Sequence, residues 1–383
     1  MEKLKQLNLK KILNTDISQL SLKKKNKEEK KEKPLKPLIN KKVVSLDIGS
    51  QNTKIVVGKC TSNGITIEKA FTIKTLLNSV YDTVMQNSTV FSIEIEKRLK
   101  ENGINVKDAN CTNNSTTIIN REIVVPYAEG EELSTLVNFE LQRYLPLNMD
   151  NYIVQYNVLE KIREDEADKL RLLAIIYPTK LSKEYMTLLK NAKLKPNALD
   201  INYNAVRKLI IGRHIINETE YNPEDTIAVL DMGAESIEVN IYTGENLEFA
   251  RIIKSGGRHL DQALAEKLGI SLNDAETRKI KEADIINYAE NEISKALRPE
   301  VEEWAEELSK IFQFFRNKKV GNKIDKLFIY GGVSKLKGLR EYFQSRFDIP
   351  ARHINMLSNA QYEADDSDMD LYINAIGAVI RYR

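Results

Sequence analysis

The chain reads as an α/β protein assembled from a duplicated unit, with a hinge between two halves. Three observations carry this. The order strand, tight turn, strand, strand occurs at residues 43–73 and returns at 226–257. Aligning Asp47 with Asp231 also places Gly49 on Gly233, an offset of 184 residues. The 383-residue chain exceeds a typical single core, so two domains, or one with insertions, are expected.

Charge is distributed unevenly. Residues 1–42 hold fourteen lysines, no arginine and five acids, a net of +9; the whole-chain value of +3 leaves residues 43–383 at −6. A net-acidic body behind a basic segment does not call for a nucleic-acid partner. Two cysteines, Cys60 and Cys111, make neither a disulfide framework nor a metal set, which suits a reducing compartment. No apolar run is long enough to span a bilayer, and no secretory signal is legible at the N-terminus, so an intracellular location is expected.

Taken in order, Leu4, Leu7, Leu9, Ile12 and Leu13 have amphipathic-helix spacing. Residues 21–42 are Lys/Glu-rich and contain Pro34 and Pro37, so 1–42 reads as a disordered basic tail and linker. Strands follow at 43–49, 53–58 and 65–73, where short apolar runs are punctuated by glycine. A helix is expected over Val90–Glu101. Residues 110–180 are strand-rich around one helix, Glu131–Tyr144, with Leu133, Val137, Leu141 and Tyr144 on one face. Helices Ser182–Ala192 and Asn202–Ile211 lead to the second copy, with strands at 226–233, 236–244 and 246–257. Beyond it the pattern predicts helices at Arg258–Leu268 and about 274–318, a strand at 325–332, and helices at 336–346 and Leu371–Ile380.

The chemistry concentrates where strands end. In LDIGSQNTK, Asp47 terminates a buried strand, where a carboxylate can hold hydrated Mg²⁺. Gly49 lets backbone N–H groups approach a phosphate, Ser50 and Asn52 offer side-chain donors, and Lys54 adds a point charge. The second copy, LDMGAESIE, repeats Asp231 and Gly233 without the lysine. Gly331 and Gly332 end a strand and open a helix, a place where a flat base or ribose can lie on the backbone. Gly256 and Gly257 form a similar junction, also readable as a plain helix cap with Asp261 facing back. His259 reads as a surface or cap residue.

The order Asp47-x-Gly-Ser, Asp231-x-Gly, Ser255-Gly-Gly and Gly331-Gly-Val-Ser resembles the phosphate-1, phosphate-2 and adenosine motifs of the actin-like ATPase superfamily. Within it, DIGSQNTK (47–54), FELQRYLPLNMDNYIVQYNVL (139–159), YMTLLKNAKLKPNALDINYNAVRKL (185–209) and YINAIGAVIRYR (372–383) resemble the PilM family of type IV pilus assembly. The resemblance covers nearly all of 41–383 and implies an FtsA-like duplicated fold. The first large domain would comprise 43–79 and 178–224, with an inserted subdomain at 80–177. The second would comprise 225–267 and 301–383, with a small insertion at 268–300.

By that resemblance, ATP with Mg²⁺ sits between the halves. Asp47 and Asp231 approach the metal through water. Gly49, Ser50, Gln51, Asn52 and Lys54 cradle one side of the phosphates, with Gly233, Ala234, Gly256 and Gly257 opposite. Gly331, Gly332 and Val333 border the adenosine, and Glu276 and Lys279 face the ribose and base. Gln51 and Glu235 are the polar groups nearest an attacking water; slow or absent hydrolysis is expected, and no catalytic residue is assigned. The implied partner is the N-terminal cytoplasmic peptide of a membrane-anchored PilN-type protein, with the pilus assembly ATPase or platform protein as further candidates. Residues 1–42 are expected to add weak attraction to an anionic membrane face.

Two alternative functions fit the residues less well. A small-molecule kinase on the same fold needs a substrate-pocket aspartate among Asn, Trp or Gly, and residues 80–125 offer no such group; the tryptophan, Trp304, lies far away in sequence. The cell-division relative FtsA carries a C-terminal linker and amphipathic helix, whereas the sequence stops after AIGAVIRYR.

Overall fold

A computed structural model describes residues 38–381, apart from 63, 77–78, 83, 146–147, 165, 211–214, 218, 221, 223, 319, 358–359 and 364–367. The expected amphipathic stretch at Leu4–Leu13, the linker prolines Pro34 and Pro37, and Pro146 lie outside the described residues.

The first half is laid on β1 (Lys42–Ile48), β2 (Asn52–Thr61) and β3 (Gly64–Lys74), an antiparallel meander. Helix α1 (Ser88–Glu101) leads to β4 (Asp108–Asn113), which runs parallel to β1. After an excursion, α3 (Thr179–Asn191) leads to β8 (Lys195–Ile201), parallel to β4, and then to α4 (Asn202–Ile210). Strand β1 is buried on both faces after Lys42, as its near-continuous apolar run requires.

The excursion is a three-stranded antiparallel sheet of β5 (Ile119–Pro126), β6 (Tyr152–Glu164) and β7 (Ala167–Pro178), with β7 central. Helix α2 (Gly130–Tyr144) covers one face with Leu133, Val137 and Leu141, closing a small core of its own. The inserted core is therefore shorter than the expected 80–177. Helix α1 and strand β4 belong to the first half, where Phe91, Ile95, Leu99, Ala109 and Cys111 join its core.

The second half repeats the plan with β9 (Thr226–Met232), β10 (Ile237–Thr243) and β11 (Asn246–Ile253) as the meander. Strand β12 (Lys326–Tyr330) is parallel to β9, and β13 (Ala351–His353) is parallel to β12. Strand order is β3-β2-β1-β4-β8 in one sheet and β11-β10-β9-β12-β13 in the other, so the duplication read from sequence extends to five strands.

Helices α5 (Gly257–Leu268), α6 (Leu272–Glu282), α7 (Glu292–Lys318) and α8 (Leu339–Phe347) complete this half. The single helix expected over 274–318 is broken between α6 and α7. Asp284 Oδ1 accepts from the backbone N–H groups of Ile286 and Asn287 at 3.1 and 3.0 Å, taking donors a continuing helix would need.

The closing segment does not stay with the second domain, where the sequence reading placed it. Strand β14 (Ala360–Tyr362) adds to β3 in the first sheet. Helix α9 (Ile373–Val379) packs on α4, and Ile354, Leu357, Met369, Ile373, Ile376 and Val379 join the first core. Together α4 and α9 fill the space between the sheets. Ile227, Val229, Tyr242, Phe328 and Tyr330 of the second half close the same core from the far side.

This helix pair is held tightly. A Cβ added to Gly377 would run into the Ala205 carbonyl, so only glycine permits the observed approach. The buried Lys208 ammonium binds Asp200 Oδ2 at 2.5 Å and the Ile380 carbonyl at 2.7 Å, and Asn110 Nδ2 donates to the Ala378 carbonyl at 2.7 Å. In thermal denaturation Gly377→Ala should cost about 2–3 kcal/mol, because it forces apart helices that both sheets depend on. Gly332→Ala, where a Cβ meets nothing within 4 Å, should cost less than about 0.5 kcal/mol.

Candidate functional site

The two meanders bring their first turns face to face. In one, the Gly49 N–H donates to the Asn52 carbonyl at 3.2 Å; in the other, the Gly233 N–H donates to the Ser236 carbonyl at 3.0 Å, the same bond 184 residues on. Between them opens a cavity of about 690 Å³. Of the sequence-predicted residues, Asp47, Gly49, Ser50, Gln51, Asn52, Lys54, Asp231, Gly233, Ala234, Gly257, Glu276, Lys279, Gly332 and Val333 all line it.

Gly256 and Gly331 are not on the lining and have packing duties instead. A Cβ on Gly256 would lie 2.6 Å from the Gly233 carbonyl oxygen, so this glycine lets the loop after β11 close onto the second turn. The closure is fixed by Gly257 N–H to Gly233 O at 3.0 Å and Arg258 N–H to Ala234 O at 2.8 Å. Trp304 Nε1 donates to Ser255 Oγ at 2.7 Å and pins the same loop from α7. Gly331 has φ +91°, and a Cβ there would come within 2.7 Å of Asp231 Oδ1. The backbone surface open to a ligand is Gly332.

Several candidate groups are engaged within the cleft. Gln51 Nε2 donates to Glu276 Oε1 at 2.7 Å, joining the two halves across its mouth. Lys279 Nζ meets Asp261 Oδ1 at 2.5 Å and donates to the Gly257 carbonyl at 3.0 Å. Glu235 lies 3.7 Å from Arg258 Nη1. His259, read as a surface or cap residue, is exposed and lines the cavity rim.

The electrostatic centre is a lysine among carboxylates. Lys54 Nζ lies 3.4 Å from Asp47 Oδ2, its register partner on β1. Burial pulls the ammonium pKa down, but attraction from Asp47 and Asp231 outweighs it and holds the group above its usual range. Burial pushes the Asp231 carboxyl up to about 6, with Lys54 opposing and Asp47 reinforcing.

Glu238 was missed from sequence. It is the register partner of Asp231 and lines the cavity, and burial, with Asp231 beside it, raises it to about 8. A signal existed: the 184-residue offset maps Lys54 onto Glu238, so the second copy carries a glutamate where the first has its lysine. Asn202 and Asn374 were also missed; they donate to Glu238 Oε1 at 2.9 Å and Asp231 Oδ2 at 2.7 Å.

These raised carboxyls have a consequence for stability. Unfolded, Glu238 titrates near 4.5; folded, near 8. Across that window the folded chain holds the extra proton, so this contribution is full below the lower value and is lost as pH rises through the upper one. Glu238→Gln, which mimics the protonated form, should stabilise the ligand-free chain by about 4 kcal/mol at pH 8 and by less than about 1 kcal/mol at pH 5. Urea denaturation at the two pH values measures the difference.

A family model described as type IV pilus assembly protein PilM matches residues 45–381. The chain is similar to a solved structure titled PilM-PilN type IV pilus biogenesis complex, with 21% identity, 88% of this chain and 97% of that one covered, and a TM-score of 0.75. It is also similar to the ethanolamine utilization protein EutJ from Carboxydothermus hydrogenoformans, with 14% identity, 90% and 91% coverage and a TM-score of 0.50. The duplicated sheets, the cleft and these matches agree on an actin-like ATPase fold, and the chain belongs to the PilM family of type IV pilus assembly proteins.

Proposed function

We propose that the chain binds ATP with Mg²⁺ between its halves and serves as a nucleotide-responsive scaffold for a PilN-type inner-membrane partner. The observation that supports this most is the meeting of two equivalent Asp-x-Gly turns around one cavity. Gly49, Ser50 and Asn52 would hold the phosphates from one side and Gly233 and Ala234 from the other, with Lys54 between. Gly332 and Val333 would bear the adenosine. Glu276 would meet the ribose once released from Gln51.

The donor set fits Mg²⁺. Among the described residues no group of three or more His, Cys, Asp or Glu side chains is arranged to hold a metal alone. Two carboxylates, Asp47 and Asp231, flank a space that phosphates would fill, the arrangement in which Mg²⁺ keeps several waters. The ion would offset phosphate charge at the centre of the cleft, where Lys54 is already drawn to Asp47 and Asp231. Slow or absent hydrolysis is the expectation, because Glu235, one of the polar groups nearest the phosphates, faces Arg258 and not the cleft centre.

The partner reading rests on family membership and on likeness to a structure that contains PilN. Ligand-dependent closure would give the partner different affinities in two states. No helix among the described residues is long and apolar enough to cross a membrane, so attachment would come through the partner and through the basic residues 1–42.

Isothermal titration with Mg-ATP should give binding that Asp231→Ala weakens by more than about tenfold. Unchanged affinity in that variant would overturn the site. Phosphate release should stay below about 0.01 per second, whereas many turnovers per second would replace the scaffold with an enzyme.

A further inference from the structure

Each central helix begins with an asparagine aimed at a buried carboxyl of the opposite half. Asn202, the first residue of α4, donates to Glu238 Oε1 at 2.9 Å while its Oδ1 accepts from Thr112 Oγ1 at 2.9 Å. Asn374, the second residue of α9, donates to Asp231 Oδ2 at 2.7 Å while its Oδ1 accepts from the Tyr330 hydroxyl at 2.8 Å. Both asparagines are at most 5% exposed. Their targets are register partners on β9 and β10, and both line the cavity.

The amide chemistry makes these links directional. The hydroxyl at Oδ1 holds each amide with Nδ2 toward the carboxyl, so rotating either side chain disturbs both contacts at once. In a buried setting an unpaired amide or carboxyl is costly, so helix and carboxyl move together. The helices in turn share the contact at Gly377 and Ala205 and are packed between both sheets. A hydrated cation or phosphate that redirects Asp231 and Glu238 therefore acts on the N-terminal ends of α4 and α9.

We propose that Asn202 and Asn374 are positioning residues that couple occupancy of the cleft to the two central helices, and through them to the angle between the sheets. The inference rests on the nucleotide reading above and adds the route by which the ligand is sensed.

Hydrogen–deuterium exchange of the full chain tests it, following residues 202–210 and 373–379 with and without saturating Mg-AMPPNP. In the unaltered chain the nucleotide should slow exchange in both helices by about threefold or more. In the Asn202→Ala/Asn374→Ala double variant, nucleotide should bind up to about tenfold more weakly and the ligand-dependent change in both helices should vanish. A merely structural role would alter exchange equally with and without ligand and leave the difference intact, which would overturn the proposal. Thr112→Val leaves both asparagines in place but releases Asn202 Oδ1; it should lose the response in α4 and keep that in α9, and an equal response in both would contradict the coupling. Saturable binding to the unaltered chain with no helix response would overturn this inference alone. Absence of binding would remove the nucleotide reading and this inference with it.

Discussion

Contact between α4 and α9 is the constraint on which the rest depends. Without that pair, both sheets would turn apolar residues of the shared core, such as Ile227, Val229 and Tyr242 of the second half, toward water. The pair α4 and α9 covers both at once, with Ala205 against Gly377 at the closest point and Lys208, Asp200 and Asn110 tying the surrounding backbone. Because the last segment returns from β13 to the first core, the chain crosses between halves more than once. The halves are thereby joined by packed backbone at their base, while at the cleft side-chain hydrogen bonds such as Gln51–Glu276 link them.

Charge is arranged by the same duplication. Equivalent register positions hold Asp47 with Lys54 in one copy and Asp231 with Glu238 in the other. Two identical copies would place either two lysines or two glutamates in one buried space. Substituting one glutamate for one lysine leaves a single cation among three carboxyls, and the raised proton affinity of the buried Glu238 lowers the cost of keeping them there. A site so charged favours a ligand that brings both anion and cation.

Much of this was legible because it is local. Strand–turn–strand runs, the Asp-x-Gly turns and their 184-residue spacing depend on neighbours a few residues apart, and they carried the duplicated fold and most of the cleft lining. What was not legible depends on long-range placement. Apolar residues of α9 look the same whichever core receives them, so the return to the first half could not be read. Gly331 was recognised as special for a ligand, but its real neighbour is Asp231, a hundred residues earlier. Asn202 and Asn374 are ordinary asparagines until the sheets bring Glu238 and Asp231 to them. The break after α6 is a different case: Asp284 acts on residues two and three ahead, a local signal outweighed by the apolar period around it.

A crystal structure of the chain with Mg²⁺ and AMPPNP is the most direct measurement. The expected result places the triphosphate between the Gly49–Asn52 and Gly233–Ser236 turns, with Lys54 drawn from Asp47 to a phosphate oxygen and Gln51 released from Glu276. A nucleotide bound elsewhere, or one seated in the cleft with the Lys54–Asp47 and Gln51–Glu276 contacts unchanged, would contradict the reading of these two turns as one divided phosphate site.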